Sequence, residues 1–488
     1  MAGLPGLSLP GLNLSTPTPQ TISSIAPAIV TRPRTEELPA RSELRFEVAF
    51  NKAYKVRLTR GNAEIFGTEL APNITYTFTG AKAAVFSWTG CSLELQGDAE
   101  SEYVGTETEA MVEWMNVHGM IETVRDEANM TQDGGPRVLV LGAGSTGKTS
   151  LVKCLTAWGL RMGRTPTVVN VDSREGMLGI PGALTAVTYN TMLDVEEDGW
   201  GTSAISGPTN IPVKTPLVYH YPFPPPENND ALYKNLTTRM ALAVTSRMEE
   251  DASVKQSGLI IDTPSVLNQP KNNYELAHHI ISEFSINIIL VLGSERLYND
   301  LNRRYSKPAS TTDEAVTVLR ISSSPGAIPR DESFSKSYRS QQIRQYFFGD
   351  SRSPLNPHGQ TWDFSELSIW RALDPNVQKT SISFLPGMDD DDDYDPSTTN
   401  NAAKNKDDLF EKVAPNQGLV NCVLAIKFAA GNAGQEAIRD SCVMGFVYVA
   451  EVDETRKKVR VLAPHPTRWG DRALVWGPWP EGVGDLVA

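Results

Sequence analysis

One glycine-rich run constrains the fold of this chain more than any other feature. Residues 137–141 read Arg-Val-Leu-Val-Leu, and Gly142-Ala-Gly-Ser-Thr-Gly-Lys-Thr149 follows directly. The run fits the P-loop pattern of two glycines five residues apart, then lysine, then serine or threonine. An apolar strand precedes it and an amphipathic helical pattern follows it, which is the context that a P-loop requires. The run predicts a nucleoside triphosphate site on an α/β sheet.

The residue types of this loop suit the binding of phosphate. Glycines let the backbone curl so that several N–H groups face one anion, and the start of the helix adds a favourable dipole. We expect Lys148 to pair with β- and γ-phosphate oxygens, and the Thr149 hydroxyl to coordinate Mg²⁺. The predicted ligand is ATP with Mg²⁺. The expected cofactor-binding residues of the loop are Gly142, Ser145, Thr146, Gly147, Lys148, Thr149 and Ser150.

GTP is disfavoured as the ligand because a GTPase reads guanine through an Asn-Lys-x-Asp motif at the end of a strand. The sequence has one match, at 405–408, and no strand pattern precedes it. We interpret that match as coincidental.

Two acidic residues follow apolar runs of the same predicted sheet. Asp172 follows Thr167–Val171, and Asp262 follows Gly258–Ile261. Because the carboxyl ends of strands line the ligand crevice in open α/β sheets, both are candidate Mg²⁺ ligands beside Thr149, directly or through water. The alternative for each is a helix cap or a turn.

Further apolar runs at Ile286–Leu292 and Val316–Ile321 alternate with helical patterns. Apolar strands alternating with helices indicate a parallel sheet covered on both faces. We therefore predict a central α/β domain of the P-loop NTPase type over residues 131–350.

The regions on either side of this domain differ from it. Residues 1–38 are rich in Pro, Ser, Thr and Gly, and predict a disordered arm. Alternating apolar residues from Leu44 onward, broken by turn signals, predict a small all-β sandwich or barrel. With a helical linker from about Glu107 to Asn129, this N-terminal β domain covers residues 39–130.

The last part of the chain, residues 351–488, predicts a small C-terminal domain that is α/β or mainly β. Strand-like runs occur at Leu419–Phe428, Gly445–Val449 and Val459–Leu462. The segment 386–408 holds five consecutive aspartates and is interpreted as a solvated loop, with a cation site as the alternative.

Composition limits the possible partners. The net charge of −13 argues against a broad nucleic-acid surface, although a local RNA site or contact through other proteins stays open. No apolar run approaches the ~20 residues that span a bilayer, so we expect no membrane partner. The four cysteines show no metal-ligand spacing, which favours a cytosolic or nuclear protein.

Several stretches in order carry a family resemblance. They are the P-loop, 42–48 (Ser-Glu-Leu-Arg-Phe-Glu-Val), 63–70 (Ala-Glu-Ile-Phe-Gly-Thr-Glu-Leu), 180–182 (Ile-Pro-Gly), 216–220 (Pro-Leu-Val-Tyr-His), 294–298 (Ser-Glu-Arg-Leu-Tyr) and 343–349 (Ile-Arg-Gln-Tyr-Phe-Phe-Gly). Together they resemble the eukaryotic polynucleotide 5′-hydroxyl kinase family, and within it the kinase-like subunits of the pre-mRNA 3′-end cleavage and polyadenylation machinery. The resemblance implies a β domain, a P-loop domain and a smaller C-terminal domain. It also implies that Glu43 and Lys82 contact the nucleotide; on their own they read as ordinary strand and turn residues.

The chain departs from the pattern of active family members at three places. Where they carry Asp-x-x-Gln, this chain has Asp172-Ser-Arg-Glu175. Their Thr-x-Gly-Trp clasp, which grips RNA, is replaced by Asp262-Thr-Pro-Ser265. Of two lid arginines, Arg330 matches one, whereas Ser335 stands at the second with Lys336 beside it. No catalytic residue is therefore assigned, and Asp172 and Arg330 remain candidates.

The resemblance and its departures lead to one hypothesis and one alternative. The hypothesis is an ATP-binding, degenerate kinase (a pseudo-kinase) in the nucleus, in which ATP holds a docking conformation for the scaffold subunit of cleavage factor IA. Other 3′-end processing proteins would be partners too, and RNA would be contacted weakly or indirectly. The alternative is an active kinase that transfers the γ-phosphate of ATP to RNA 5′-hydroxyl ends.

Overall fold

The computed structural model describes residues 32–106, 110–196, 200, 216–307, 316–349, 354–375, 409–466, 469–484 and 486. The predicted acidic loop 386–408 and residues 1–31 of the predicted arm lie outside this part of the chain. Among the residues described, no helix is both long and apolar enough to cross a bilayer.

The N-terminal domain is a sandwich of two antiparallel sheets. Its strands are β1 (Arg34–Leu38), β2 (Ser42–Glu47), β3 (Tyr54–Gly61), β4 (Glu64–Ile65), β5 (Thr68–Glu69), β6 (Thr75–Phe78), β7 (Lys82–Ser87), β8 (Cys91–Gln96) and β9 (Ser101–Gly105). One sheet has the order β1-β8-β3-β6, and the other β5-β4-β7-β2-β9. This confirms the sandwich prediction.

Alternating side chains create the core between these two sheets. Tyr54, Val56 and Leu58 of β3 are buried, whereas residues between them face outward. One boundary differs from the prediction: residues 34–38, assigned to the arm, form β1 and pair antiparallel with β8. The polar sequence of β1 hides this strand, since it pairs through its backbone and buries only Leu38 well.

A long helix joins the sandwich to the central domain. It is α1 (Ala110–Thr131), and its buried face includes Trp114, Val117 and Ile121. Arg125 anchors the far end by donating from Nε to the carbonyl of Ser257, 2.9 Å away. The helix is therefore packed on the central domain along its length.

The central domain is built on one seven-stranded sheet. Its strands are β10 (Arg137–Gly142), β11 (Thr167–Asn170), β12 (Ala183–Thr188), β13 (Leu217–His220), β14 (Leu259–Asp262), β15 (Ile288–Leu292) and β16 (Thr317–Ile321). The order is β13-β12-β11-β14-β10-β15-β16. Strands β11, β14, β10, β15 and β16 are parallel, whereas β12 and β13 pair antiparallel at one edge. The parallel part confirms the sequence prediction; the antiparallel edge adds to it.

Helices cover both faces of this sheet. They are α2 (Lys148–Arg161), α3 (Asp230–Glu250), α4 (Ala252–Ser257), α5 (Glu275–Glu283), α6 (Glu295–Tyr305) and α7 (Glu332–Phe348). Residues that alternate along β10 belong to two different cores, Val138 and Val140 to one and Leu139 and Leu141 to the other. Burial on both faces explains why these strands read as continuous apolar runs.

The C-terminal domain is mainly β. Its strands are β17 (His358–Asp363), β18 (Ser368–Ala372), β19 (Phe410–Val413), β20 (Val423–Ala430), β21 (Val443–Asp453), β22 (Lys458–Ala463) and β23 (Arg472–Trp476), with the short helix α8 (Gln435–Asp440). They form one sheet in the order β17-β22-β21-β20-β23-β18-β19. The sheet packs on α7, where the Tyr346 hydroxyl accepts a 2.9 Å hydrogen bond from the Phe446 amide. The C-terminal domain thus shares a core with the central domain.

Candidate nucleotide-binding site

A cavity of about 630 Å³ lies where the three domains meet. That volume is in the range of small-molecule sites. Its walls come from the sandwich, α1, the P-loop, the 172–175 loop, α7 and the C-terminal segment near Trp479. A smaller cavity of about 130 Å³ adjoins it and shares Lys82, Thr149, Asp172 and Arg330. The P-loop residues that line the larger cavity are Gly144, Ser145, Thr146, Gly147, Lys148, Thr149 and Ser150.

The backbone of the P-loop has the curled form that its glycines predict. Gly147 stands at the start of α2 with φ of 91°, a conformation that side chains disfavour, and Ser145 has φ of 55°. Gly142 is buried, and a Cβ there would lie 2.7 Å from the Leu292 carbonyl oxygen. No side chain caps the start of α2. Its first N–H groups therefore face the cavity as an anion cradle.

Lys148, Thr149 and Asp262 lie at this cradle. The Lys148 ammonium donates to the Ala143 carbonyl at 2.9 Å, so its side chain folds back along the loop. The Thr149 hydroxyl donates to Asp262 Oδ2 at 2.6 Å, linking the start of α2 to the end of β14. Lys148 is 9% exposed and Asp262 is 7% exposed. The structure thus brings the predicted lysine, threonine and carboxylate together.

Burial shapes the charges at this cradle. It lowers the pKa of Lys148, against the opposing effect of Asp262, Asp172 and Glu175. It raises the pKa of Asp262, although the Thr149 hydrogen bond and Lys148 partly offset it. A bound phosphate would balance the charge of the buried lysine, and a divalent cation would balance the charges of the nearby carboxylates.

The oxygens of Thr149 and Asp262 fit a magnesium ion. Mg²⁺ typically takes one or two protein oxygens and completes its shell with phosphate oxygens and water. Within the described part of the chain, no group of three or more His, Cys, Asp or Glu side chains is arranged to hold a metal alone. A magnesium ion here would therefore come with the nucleotide.

Asp172 lies in a tight turn after β11, the strand that pairs with β14. Its Oδ1 accepts from the Arg174 amide at 2.9 Å. Burial, with the nearby Glu175 charge, raises the pKa of Asp172 to about 7. The side chain lines both cavities, so a phosphate-proximal role remains a prediction that its position supports.

Glu43 and Lys82 line the cavity on the sandwich side. Glu43 is buried and accepts a hydrogen bond from Arg45 Nε. Lys82 Nζ lies 2.8 Å from Glu47 Oε2 and 5.0 Å from the centre of the Phe334 ring on α7. Both residues are positioned beside the expected ligand, and contact with the nucleotide stays a prediction.

Arg330, the matching lid arginine, makes an ion pair inside this region. Its Nη1 lies 3.0 Å from Glu175 Oε2. The guanidinium also lies over the rings of Phe334 and Tyr338. One departure from the active pattern therefore acts on a retained residue, because the carboxylate in place of glutamine pairs with the remaining lid cation.

The remaining two altered elements are the segment that replaces the clasp and the second lid position. The Thr263 hydroxyl donates to the Val140 carbonyl at 2.6 Å inside the fold, and a short 3₁₀ turn, Ser265–Asn268, follows it. Ser335 lines the cavity, whereas its neighbour Lys336 is exposed.

Several lining residues escaped the sequence analysis: Arg45, Trp114, Arg339, Trp479 and Glu481. Arg339 had a usable signal, since it lies four residues after Ser335 and thus on the same face of α7. No sequence pattern could have identified Trp479, because only the tertiary fold brings the C-terminal segment to the cavity. The Asn-Lys-x-Asp match at 405–408 lies outside the described residues.

Comparison with known families covers all three domains. Residues 37–128 match the N-terminal beta-sandwich domain of polyadenylation factor, and residues 142–349 match the mRNA cleavage and polyadenylation factor CLP1 P-loop. Residues 355–481 match the pre-mRNA cleavage complex II protein Clp1.

Relatives that match over nearly the whole chain belong to the same family as the three domain matches. The mRNA cleavage and polyadenylation factor clp1 of Botryotinia fuckeliana is 46% identical over 99% of this chain and 100% of its own length. That of Phaeosphaeria nodorum is also 46% identical, with the same coverage. A solved structure of the Clp1p–Pcf11p interface, concerned also with ATP loss in a glycine-to-arginine mutant, has a TM-score of 0.79 at 26% identity, covering 92% of this chain and 99% of that one. This chain belongs to the Clp1 family of mRNA cleavage and polyadenylation factors.

Proposed function

We propose that this chain is an ATP-binding subunit of the nuclear mRNA 3′-end cleavage and polyadenylation machinery that retains ATP with Mg²⁺ and does not transfer its γ-phosphate. The observation that carries the proposal is the contrast within one cavity. The cradle around Lys148, Thr149 and Asp262 is complete, whereas Arg330 is paired with Glu175 at 3.0 Å.

The cradle supports binding. Backbone N–H groups at the start of α2 and the Lys148 ammonium supply donors and positive charge to phosphate oxygens. Thr149 and Asp262 would hold Mg²⁺, which shields charge between the β- and γ-phosphates when it is bound. Glu43 and Lys82 would contact the adenosine side, so that the nucleotide joins the sandwich to the P-loop domain.

The lid wall of the cavity, which carries Glu175, Arg330 and Ser335, supports the absence of transfer. Phosphoryl transfer needs an acceptor hydroxyl held in line and cations on the transferred group. Glu175 offers a carboxylate to Arg330, and Ser335 offers no charge at the second lid position. The Thr263 hydroxyl is directed into the fold by its bond to Val140. Each departure weakens the handling of the acceptor while leaving the cradle unchanged.

A ligand that is bound but not consumed stabilises the conformation that holds it. The gain is RT ln(1 + [L]/Kd), or about 4 kcal/mol at a thousandfold excess of ligand over Kd. The nucleotide would touch elements from the sandwich, the P-loop domain and α7. ATP is therefore well placed to fix the relative positions of these elements.

The partner follows from the family. The solved relatives are complexes of Clp1p with Pcf11p. We propose that this chain docks an equivalent scaffold subunit of cleavage factor IA on its central domain, in an ATP-dependent conformation. Other 3′-end processing proteins would join through that scaffold, and RNA would be contacted indirectly or weakly.

A 5′-hydroxyl kinase is the competing function, and one observation favours it. Asp172 and Arg330 line the same cavity as Thr149, as a catalytic base and a lid cation would. Analysis of the nucleotide released from gently purified, denatured protein separates the two. Near-stoichiometric ATP supports the proposal. ADP or an empty site, together with 5′-phosphorylation of RNA, would overturn it.

A further inference from the structure

The C-terminal domain reaches the nucleotide cavity through one short segment, Gly477–Glu481. Trp479 is 6% exposed and lines the cavity together with Glu481. The segment lies tightly on the central domain, since a Cβ at Gly477 would stand 2.6 Å from the Pro222 Cβ. The domain that is most distant in sequence from the P-loop therefore forms part of the wall of its cavity.

The indole of Trp479 holds the loop after β11. Its Nε1 donates to the Ser173 carbonyl at 2.8 Å. From the other side, Gln342 of α7 donates to the Gly176 carbonyl at 2.8 Å. Asp172 directly precedes the first anchor point, Ser173, and Glu175 directly precedes the second, Gly176. Both carboxylates act electrostatically on Lys148, and Glu175 pairs with Arg330.

Arg339 connects this segment to the lid helix. Its Nη2 lies 2.9 Å from Glu481 Oε1 and 3.0 Å from Glu332 Oε1, at the start of α7. Its guanidinium carbon lies 4.9 Å from the centre of the Trp479 ring, within the range of a cation–π contact. The segment thus contacts both elements that would face the γ-phosphate of a bound nucleotide: the 172–176 loop and α7.

We infer that Trp479 is a positioning residue for the γ-phosphate side of the nucleotide site, acting through the Ser173 carbonyl on its neighbour Asp172, a candidate Mg²⁺ ligand. This inference rests on the proposed ATP site. Lys148 meets the β- and γ-phosphates in a P-loop, so Asp172, which acts electrostatically on Lys148 and could hold Mg²⁺, would bear on the phosphate that ATP has and ADP lacks. The C-terminal domain is therefore coupled to which of the two nucleotides is bound.

The test compares Trp479→Phe with Trp362→Phe in the full chain. Trp362 is a matched control, because its indole also donates a hydrogen bond, but to a residue of its own domain, Gln360, at 3.2 Å. Trp479→Phe keeps a ring beneath Arg339, and the Ser173 carbonyl still accepts from the Gly182 amide at 2.8 Å. The substitution therefore removes one hydrogen bond and leaves no buried carbonyl without a partner.

Calorimetry with Mg-ATP and Mg-ADP gives the readout. We expect Trp479→Phe to lower the preference for ATP over ADP by about fivefold, the usual worth of one hydrogen bond. Trp362→Phe should keep the wild-type ratio. Glu481→Gln, which keeps the indole, should shift the ratio the same way by about twofold.

Two results would overturn the inference: an unchanged ratio in both Trp479→Phe and Glu481→Gln, or an equal loss of ATP and ADP affinity, as general destabilisation would give. A wild-type protein that binds neither nucleotide would instead overturn the proposed ATP site, which is a distinguishable outcome.

Discussion

The two walls of the nucleotide cavity differ in how their charges are used. At the P-loop wall, Lys148 donates to a backbone carbonyl and Thr149 donates to one carboxylate, so both side chains can turn to a ligand. At the lid wall, Arg330 is already paired with Glu175. In the proposed function, binding a triphosphate would depend on the first wall, and transferring its last phosphate would depend on both. A chain can therefore keep the first capability and lose the second.

The contrast between the two walls also explains how nucleotide binding can be kept for a structural role when phosphoryl transfer is lost. Phosphate recognition uses backbone donors and two side chains fixed by secondary structure, whereas a displacement of ~1 Å in the acceptor can cost ~100-fold in rate. The lid wall is built from a turn, a short 3₁₀ segment and α7, which come from distant parts of the sequence. Small changes there would remove transfer without disturbing the cradle.

The largest expected effect comes from breaking the P-loop wall. Lys148→Ala combined with Thr149→Ala removes a charge-assisted contact and a magnesium ligand, and should weaken Mg-ATP binding by about 100-fold or more. Lys234→Ala combined with Thr238→Ala changes the same residue types on α3 and should bind as wild type does. Calorimetry gives both affinities. Equal binding by the two double variants would show that the cradle is elsewhere.

The second effect concerns docking. If ATP holds the conformation that the scaffold subunit recognises, the same P-loop double variant should bind a scaffold fragment about tenfold more weakly. Pull-down at several fragment concentrations measures this, with the α3 double variant as control. Full recovery of the fragment by nucleotide-free protein would leave ATP without a structural role.

The third effect tests the sandwich side of the cavity. Glu43→Gln removes a buried charge beside the expected adenosine and should lower the preference for ATP over GTP by about fivefold. Glu94→Gln changes another paired glutamate of the sandwich, 2.6 Å from Arg57, and should have no effect on this preference. Competition binding with the two nucleotides distinguishes them. If Glu43→Gln keeps the wild-type preference, Glu43 does not read the base.

The smallest effect sharpens the lid wall. Glu175→Gln removes a negative charge near the γ-phosphate side and releases Arg330, so ATP should bind about threefold more tightly. The effect is modest because both partners of the pair are partly exposed. Glu275→Gln breaks a comparable exposed pair with Lys234 and is the control. Weaker ATP binding by Glu175→Gln would mean that Glu175 supports the ligand instead of repelling it.

Sequence patterns predicted the parts of the molecule that obey local rules. The five parallel strands were visible because burial on both faces makes them continuously apolar, and the P-loop was visible because its chemistry requires adjacent residues. The strands β12 and β13 were missed, since they pair antiparallel at an edge without the helical crossover that marks the others.

The lid wall shows where such prediction ends. Glu175 and Arg330 were each identified as notable, yet their contact joins residues 155 positions apart. Trp479 reaches Ser173 across 306 positions. Contacts of this kind depend on how whole domains pack, which no local pattern encodes.

The most direct test of the central claim is the fate of ATP in the presence of an acceptor. Full-length protein loaded with γ-labelled Mg-ATP is incubated with 5′-hydroxyl RNA, and both label transfer and the bound nucleotide are measured. We predict intact bound ATP and RNA labelling no greater than that of the Lys148→Ala variant. Robust labelling of RNA that disappears in Lys148→Ala would contradict the account and establish the chain as a kinase.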